Sequence, residues 1–221
     1  MAQNVSTAVM QRRVEAHDSL DDFPTPPWAT RALCEHLQNG PEALDLQYMS
    51  CREPAANRGH MVKPLREYFA TVEASDVHDY GAGFPVSDYL FWTDPEPVDF
   101  TITNPPFRLG EQFVQRMIRT STIGCAILVR TAFMEGEDRC RDLFHTTPPS
   151  LVLQFSERVV IHRSALRQAG SKYIYPQTGE EKTASTATAY AWIVWLTGDY
   201  DTRLRWIAPC RKRLERAGDY E

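Results

Sequence analysis

Val98-Asp99-Phe100-Thr101-Ile102-Thr103-Asn104-Pro105-Pro106-Phe107 is the stretch that decides the fold. The run from Val98 to Thr103, mostly apolar or β-branched, has the composition of a buried strand. The two prolines that follow carry no N–H and fix their own φ, so they stop the strand and set the backbone at its carboxyl end. Open α/β sheets gather their chemistry at the carboxyl ends of their strands. The tetrapeptide places a side-chain amide, a rigid main-chain carbonyl and an aromatic face together. Those groups suit holding a planar amine and presenting its nitrogen to an electrophile.

On either side of this stretch, apolar runs at 72–76, 125–130, 151–155 and 187–196 read as strands, the last of them long and final. A short strand is expected around 48–53, and 86–92 is ambiguous. Helical spacing covers 29–38, 61–69, 111–119 and 137–144. Strands alternating with helices predict a doubly wound, mainly parallel sheet. Residues 1–20 are polar and mixed and read as a loose or helical lead-in. Phe23-Pro24-Thr25-Pro26-Pro27-Trp28 is a rigid extended turn, with Thr25 placed to cap the next helix and Pro26 or Pro27 in its first turn. The segment 156–183 breaks the pattern. It is polar, contains Gly170 and Gly179, and carries Arg158, His162, Arg163, Arg167, Lys172 and Lys182. A loop of that length inside a compact domain is functional or disordered.

A chain of 221 residues suits one domain, 1–221, with an inserted loop at about 156–183. Its hydrophobic content of 43% and charged content of 24% are those of a globular protein. No apolar run is long enough to span a bilayer. Met1-Ala2-Gln3-Asn4-Val5-Ser6 lacks the basic start and apolar stretch of a signal peptide, so a cytoplasmic location is expected. Cys34, Cys51, Cys125, Cys140 and Cys210 are scattered without CxxC spacing, which points to reduced, mostly buried thiols and to no metal site. The net charge of −5 does not advertise nucleic-acid binding, although a local basic cleft is compatible with it.

Cys51-Arg52-Glu53-Pro54-Ala55-Ala56-Asn57-Arg58-Gly59-His60 joins the first strand to its helix. A tight turn there lets the backbone approach a ligand, with Gly59 supplying room. Asn57 stands where a second glycine would be expected, and Asn tolerates the left-handed conformation better than most residues. Taken alone, such a turn is equally an ordinary strand-to-helix junction. Asp76 ends the next strand, about 20 residues on, where nucleotide-binding sheets place a ribose-binding acid. Asp88-Tyr89 offers a carboxylate for an adenine amine beside an aromatic ring. Asp79 is a lesser candidate.

The order of these features is more specific than any of them. A turn with glycine, an acid after strand two, an acid after strand three and the tetrapeptide after strand four follow one another. In that order the chain resembles the S-adenosylmethionine-dependent amino-methyltransferases, in particular the DNA N6-adenine methyltransferases of bacteriophages and prophages. The resemblance covers most of the chain. It rests on 23–30, Glu53-Pro54-Ala55-Ala56, Asp76, Asp88-Tyr89-Leu90, Asn104-Pro105-Pro106-Phe107 and Thr186-Ala187-Thr188-Ala189-Tyr190-Ala191-Trp192. It implies a Rossmann-like α/β fold, doubly wound and mainly parallel, with an antiparallel last strand and the gamma order of motifs. It implies S-adenosylmethionine as cofactor and DNA as partner, with no metal and no membrane, acting as a monomer or homodimer. Glu53, Pro54, Ala55, Asn57, Gly59 and Asp76 would meet the methionine and ribose parts. Asp88 and Tyr89 would meet the adenine, and Thr25, Pro26, Pro27 and Trp28 would close over the methionine end. Asn57 departs from the glycine usual in the family.

An adenine N6 amine is a poor nucleophile because its lone pair is delocalised into the ring. Two acceptors in the plane of its N–H bonds counter that: the side-chain oxygen of Asn104 and the main-chain carbonyl of Pro105. They stabilise positive charge that develops only as the methyl arrives. Phe107 is expected to stack on the target base, which must leave a duplex to reach the pocket. Asn104, Pro105, Pro106 and Phe107 are therefore the candidate catalytic residues. Arg163, Arg167 and Lys172 are candidates for DNA contact, with Tyr173 or Tyr175 as a wedge. The basic tail 211–216 reads first as a solvated helix.

Cytosine N4, RNA adenine and protein glutamine methylation use the same type of tetrapeptide, since each presents a planar amino group. A catalytically silent nucleic-acid-binding partner is a reading of a different class. A dinucleotide-dependent oxidoreductase is disfavoured, because no GxGxxG pattern occurs.

Overall fold

The computed structural model describes residues 21–221, so the lead-in expected at 1–20 lies outside the described residues. In chain order the elements are α1 (Pro27–Asn39), β1 (Ser50–Glu53), α2 (Val62–Leu65), β2 (Thr71–Ala74), β3 (Val98–Thr103), α3 (Gly110–Arg119) and β4 (Ser121–Arg130). They continue with α4 (Glu137–Arg139), β5 (Leu151–Phe155), β6 (Lys172–Ile174), β7 (Glu181–Thr183), β8 (Tyr190–Leu196), β9 (Arg203–Ile207) and α5 (Arg211–Leu214). Seven strands form one sheet in the order β2-β1-β3-β4-β8-β5-β9. β8 runs antiparallel to both its neighbours, and every other pairing in the sheet is parallel.

The central strands read as unbroken apolar runs because both faces of the sheet are covered. Ala126, Leu128, Trp192 and Val194 pack on one face with Trp28, Leu33 and Leu37 of α1 and with Leu65 and Leu214. The alternate residues Cys125, Ile127, Val129, Ile193 and Trp195 pack on the other face with Phe113, Val114 and Met117 of α3. The period of two along each strand, set against apolar stripes on the helices, fixes the register.

Several expectations need correction. The long strand at 187–196 is antiparallel, but it is not the last. β9 follows it and pairs with β5 at the sheet edge. Its Arg-Leu-Arg-Trp-Ile sequence leaves Leu204 and Trp206 exposed, so it lacks the apolar run of a central strand. The ambiguous segment 86–92 forms no strand. Val86 makes one parallel bridge to Asp76 and nothing more. Thr25 does not cap α1, because Pro26 is the residue before the helix and Pro27 is its first, which puts Thr25 one position too early. The helix expected at 61–69 is the single turn α2, continued by turns that still bury Phe69. The helix expected at 137–144 is one α-turn followed by a wider π-turn at Cys140–Phe144. The segment 156–183 contains an antiparallel pair, β6 with β7, closed by the turn in which the Gly179 N–H donates to Tyr175 O. Cys34, Cys51, Cys125 and Cys210 are buried, Cys140 is exposed, and all are free thiols. No helix among the described residues is long and apolar enough to cross a membrane.

Candidate active site

The chain runs from β1 outward to β2, then crosses back to β3 on the other side of β1. That reversal leaves a crevice beyond the carboxyl ends of β1 and β3. A cleft opens there, lined among others by Thr25, Pro54, Ala55, Asn57, Asp76, Asp88, Tyr89, Asn104 and Pro106. Asp21, Phe23, His60, Tyr80 and Leu109 complete much of its wall. Pro26, Pro27, Trp28, Glu53, Gly59, Pro105 and Phe107 do not line it. Trp28 belongs to the core, edge-on to Phe155 with ring centroids 5.4 Å apart.

The segment Asp21–Thr25 lies across the end of β3 as a strap. Asn104 Nδ2 donates to the main-chain oxygen of Phe23 at 3.0 Å and to Thr25 Oγ1 at 3.0 Å. A main-chain carbonyl can only accept, so the nitrogen end of the amide faces Phe23. Oδ1 is the end left for a ligand, and it has no hydrogen-bond partner among the described residues. The Phe107 N–H donates to Asp21 Oδ2 at 2.8 Å, which ties the far side of the tetrapeptide to the same strap.

Asn57 occupies the left-handed region at φ 49°. Its N–H donates to Asp76 Oδ2 at 2.8 Å, and its side-chain Nδ2 donates to Asp22 Oδ1 at 2.9 Å. Arg58 reaches the same Asp22 carboxylate at 2.8 and 3.1 Å. Burial alone would raise the Asp22 carboxyl, but the bonds from Arg58 and Asn57 hold it below the usual carboxylate range. Gly59, at φ 84°, backs against Phe84, whose ring a Cβ would approach to 3.0 Å. The second oxygen of Asp76 accepts the His78 N–H at 2.9 Å, so two main-chain donors fix this buried carboxylate at the cleft wall. Asp88 is exposed and accepts the Leu90 N–H. Tyr89 is buried against Phe113, its hydroxyl 3.0 Å from Thr120 Oγ1. Asp79 accepts the Gly81 N–H in an exposed turn.

Glu53 lies fully buried beneath the turn. Its Oε1 accepts from Thr103 Oγ1 at 2.6 Å and from the Ala55 N–H at 2.9 Å, while Oε2 has no partner. Burial pushes this carboxyl up to about 8, against the lowering effect of those two bonds. Burial also lowers His60, at the cleft wall, which favours its neutral form.

Phe107 is half-buried between Phe23, with ring centroids 5.0 Å apart, and the Arg130 guanidinium, 4.1 Å from its ring centre. Of the expected DNA-contacting residues, Arg163 is exposed, Arg167 stacks 4.1 Å over Tyr173, and Lys172 pairs with Glu181 at 3.3 Å. Tyr175 lies under Lys182. The insertion meets the strap where the Ser164 N–H donates to Asp22 O at 2.7 Å. The basic tail is engaged by the protein itself: Arg213 pairs with Glu35 and Arg216 with Glu67. Among the described residues no group of three or more His, Cys, Asp or Glu is placed to hold a metal ion.

Sequence reasoning missed Asp21, Asp22 and Arg130. The two aspartates stand just before a proline-rich strap and gain meaning only from where it folds. Arg130 did carry a signal, a lone charge closing an apolar strand at the end where such sheets keep their chemistry.

No family model matches the chain, and no curated protein matches it. Among solved structures it is similar to the methyltransferase subunit of the type I restriction-modification system of Streptococcus thermophilus, with a TM-score of 0.57 over 92% of this chain and 12% identity. It is also similar to a modification subunit assigned to a type I restriction enzyme of Vibrio vulnificus, with a TM-score of 0.52 over 93% and 14% identity. A third likeness, to a protein named as a hemolysin of Lactococcus lactis, has a TM-score of 0.51 over 82% at 9% identity. The chain spans about half the length, 50%, of each of the two restriction-modification subunits and 94% of the third protein. At such identities the likeness is one of fold: the chain has the Rossmann-like, mixed seven-stranded sheet of these proteins. Proteins with different names share that fold, so function must be argued from the site.

Proposed function

We propose that this chain transfers a methyl group from S-adenosylmethionine to the exocyclic N6 amine of adenine in DNA. The observation that carries the reading is the orientation of Asn104. With Nδ2 held by Phe23 O and Thr25 Oγ1, the amide offers an acceptor, Oδ1, at the wall of the cleft. An acceptor held in advance costs no reorganisation when charge develops on a bound amine.

The cleft residues fit S-adenosylmethionine. Asp76 keeps carboxylate lone pairs beyond its two main-chain bonds, as ribose hydroxyls require. Asp88 stands beside the Tyr89 ring for an adenine. The unpartnered Oε2 of Glu53 leaves polar capacity unspent beneath the turn. When bound, the cofactor supplies an electrophilic methyl group on a sulfonium.

Asn104 Oδ1 accepts one N–H of the target amine, with the adjoining Pro105 carbonyl, behind the cleft wall, as the expected acceptor of the other. Both acceptors favour the amine more strongly as it turns tetrahedral and positive. Phe107, flanked by Phe23 and Arg130, borders the base. The type I methyltransferase subunits of similar fold support DNA as the substrate class, and the resemblance of the strap and tetrapeptide supports adenine.

The test is incubation of the purified chain with methyl-labelled S-adenosylmethionine and unmethylated DNA, then digestion to nucleosides and identification by mass. Labelled N6-methyladenine is the expected product. Labelled N4-methylcytosine would change the base, and cofactor binding without any labelled nucleoside would move the substrate to RNA or protein. No cofactor binding would favour a silent nucleic-acid-binding partner.

A further inference from the structure

Arg130 is the last residue of β4 and follows the buried apolar run Cys125–Val129. Its guanidinium lies 4.1 Å from the Phe107 ring centre and 5.9 Å from that of Phe23. Its Nε is buried without a hydrogen-bond partner. No hydrogen bond or ion pair joins the rest of the guanidinium to any other described residue. Arg31, Arg52 and Arg116, more deeply buried than the half-buried Arg130, each reach a carboxylate and a main-chain carbonyl, although Arg52 Nη1 and Arg116 Nε are also without partners. A buried Nε without a partner is unfavourable, and cation–π attraction to the two rings offsets only part of that. The arrangement is complete when an acceptor arrives from outside.

We propose that Arg130 binds a backbone phosphate of the DNA strand whose adenine enters the cleft, a site that rests on the reading of DNA as substrate. The guanidinium is a fixed positive charge with a planar fork of donors, which matches a phosphodiester bidentately. Its platform, Phe107, is three residues from Asn104 in the turn that meets the target amine. A nucleotide whose N6 amine donates to Asn104 and Pro105 still has a backbone charge to be held. The strap contributes as well: Asp21 fixes the Phe107 backbone and Phe23 tilts against its ring, so the guanidinium plane is set before DNA arrives. Phe107 is thereby the support of a phosphate clamp as well as a border of the base.

The experiment uses the full chain and a duplex that it methylates. Binding of that duplex is measured against salt concentration for wild type, Arg130→Gln and Arg130→Lys, with the S-adenosylmethionine dissociation constant measured separately. Arg130→Gln is expected to bind DNA about tenfold more weakly at low salt, with the slope of log K against log salt reduced by about 0.9. Arg130→Lys is expected to keep the slope, and all three proteins to bind the cofactor alike. A second measurement needs no variant: neutral methylphosphonate linkages flanking the target adenine should weaken wild-type binding as much as Arg130→Gln does. Unchanged affinity and slope in Arg130→Gln, or indifference to the methylphosphonates, would overturn the assignment while leaving the proposed function standing. Weakened binding with an unchanged slope would overturn it in favour of a base-edge contact. Failure to methylate any DNA would overturn the substrate reading, and the phosphate site with it.

Discussion

Asn57 Nδ2 donates to the Asp22 carboxylate at 2.9 Å while the Asn57 backbone sits in the left-handed region at φ 49°. The residue that replaces an expected glycine therefore keeps the glycine's conformation and adds a tie from the β1–α2 turn to the strap. Asn is the residue best suited to both tasks, since its short polar side chain tolerates that region and can bond locally.

Asn57→Gly keeps the backbone and removes the tie to Asp22, together with the bonds that Asn57 Oδ1 accepts from the Arg58 N–H and Nη1. One lost hydrogen bond to a charged group, worth about 1.5 kcal/mol, corresponds to a rise of roughly tenfold in the cofactor dissociation constant. Calorimetric titration with S-adenosylmethionine measures it. Equal affinity in the variant would confine Asn57 to shaping the turn.

Glu53 makes stability depend on pH. Its carboxyl is pushed from an ordinary 4.5 up to about 8 by burial. Between those values the folded chain keeps a proton that the unfolded chain has released, so this group's contribution is complete below the lower value and is lost as pH rises through the upper one. Glu53→Gln removes the titration. The melting temperature of wild type should fall relative to Glu53→Gln by several degrees between about pH 5 and about pH 8. Parallel melting profiles across that range would contradict the shift.

Arg31 is fully buried and bonds Asp219 at 2.7 and 2.9 Å, Glu67 at 2.9 Å and the Leu214 carbonyl at 2.8 Å. It fastens the carboxyl-terminal segment to α1. Arg31→Met leaves the buried Asp219 carboxylate unpaired, and a loss of ~3–5 kcal/mol is expected in urea unfolding. A loss below ~1 kcal/mol would show that the site relaxes around the methionine.

The insertion offers Arg163 exposed, Arg167 stacked and Lys172 in an exposed ion pair of little net strength. Replacing all three by glutamine should reduce the salt slope of duplex binding by about 2 or more if they reach phosphates. An unchanged slope would leave 156–183 without a part in DNA binding.

The parallel core was legible because its signal is local. Val98–Thr103, Cys125–Arg130 and Leu151–Phe155 bury both faces and announce themselves as apolar runs, and the double proline marks where the chain turns back. β9 was not legible, because an edge strand with arginines at alternate positions needs no apolar run. Asp76, Asp88, Asn57 and Asn104 could be placed at one cleft from their order along the chain, since each follows a strand of a sheet whose topology is restricted. Asp21 and Asp22 could not, and Arg130 offered only a lone charge at the end of an apolar strand. Their roles come from a strap that crosses the sheet end and from an arginine whose partners are two rings distant in sequence.

The central claim is that Asn104, held by Phe23 and Thr25, supplies the acceptor that makes a planar amine reactive. The most direct measurement is single-turnover methyl transfer to adenine N6 in DNA by wild type and Asn104→Ala, with the cofactor dissociation constant taken in parallel. The account predicts a loss of transfer by about 10²–10³-fold or more, as for removal of one preorganised transition-state contact, with cofactor affinity nearly unchanged. Transfer at a near-normal rate by Asn104→Ala would contradict it.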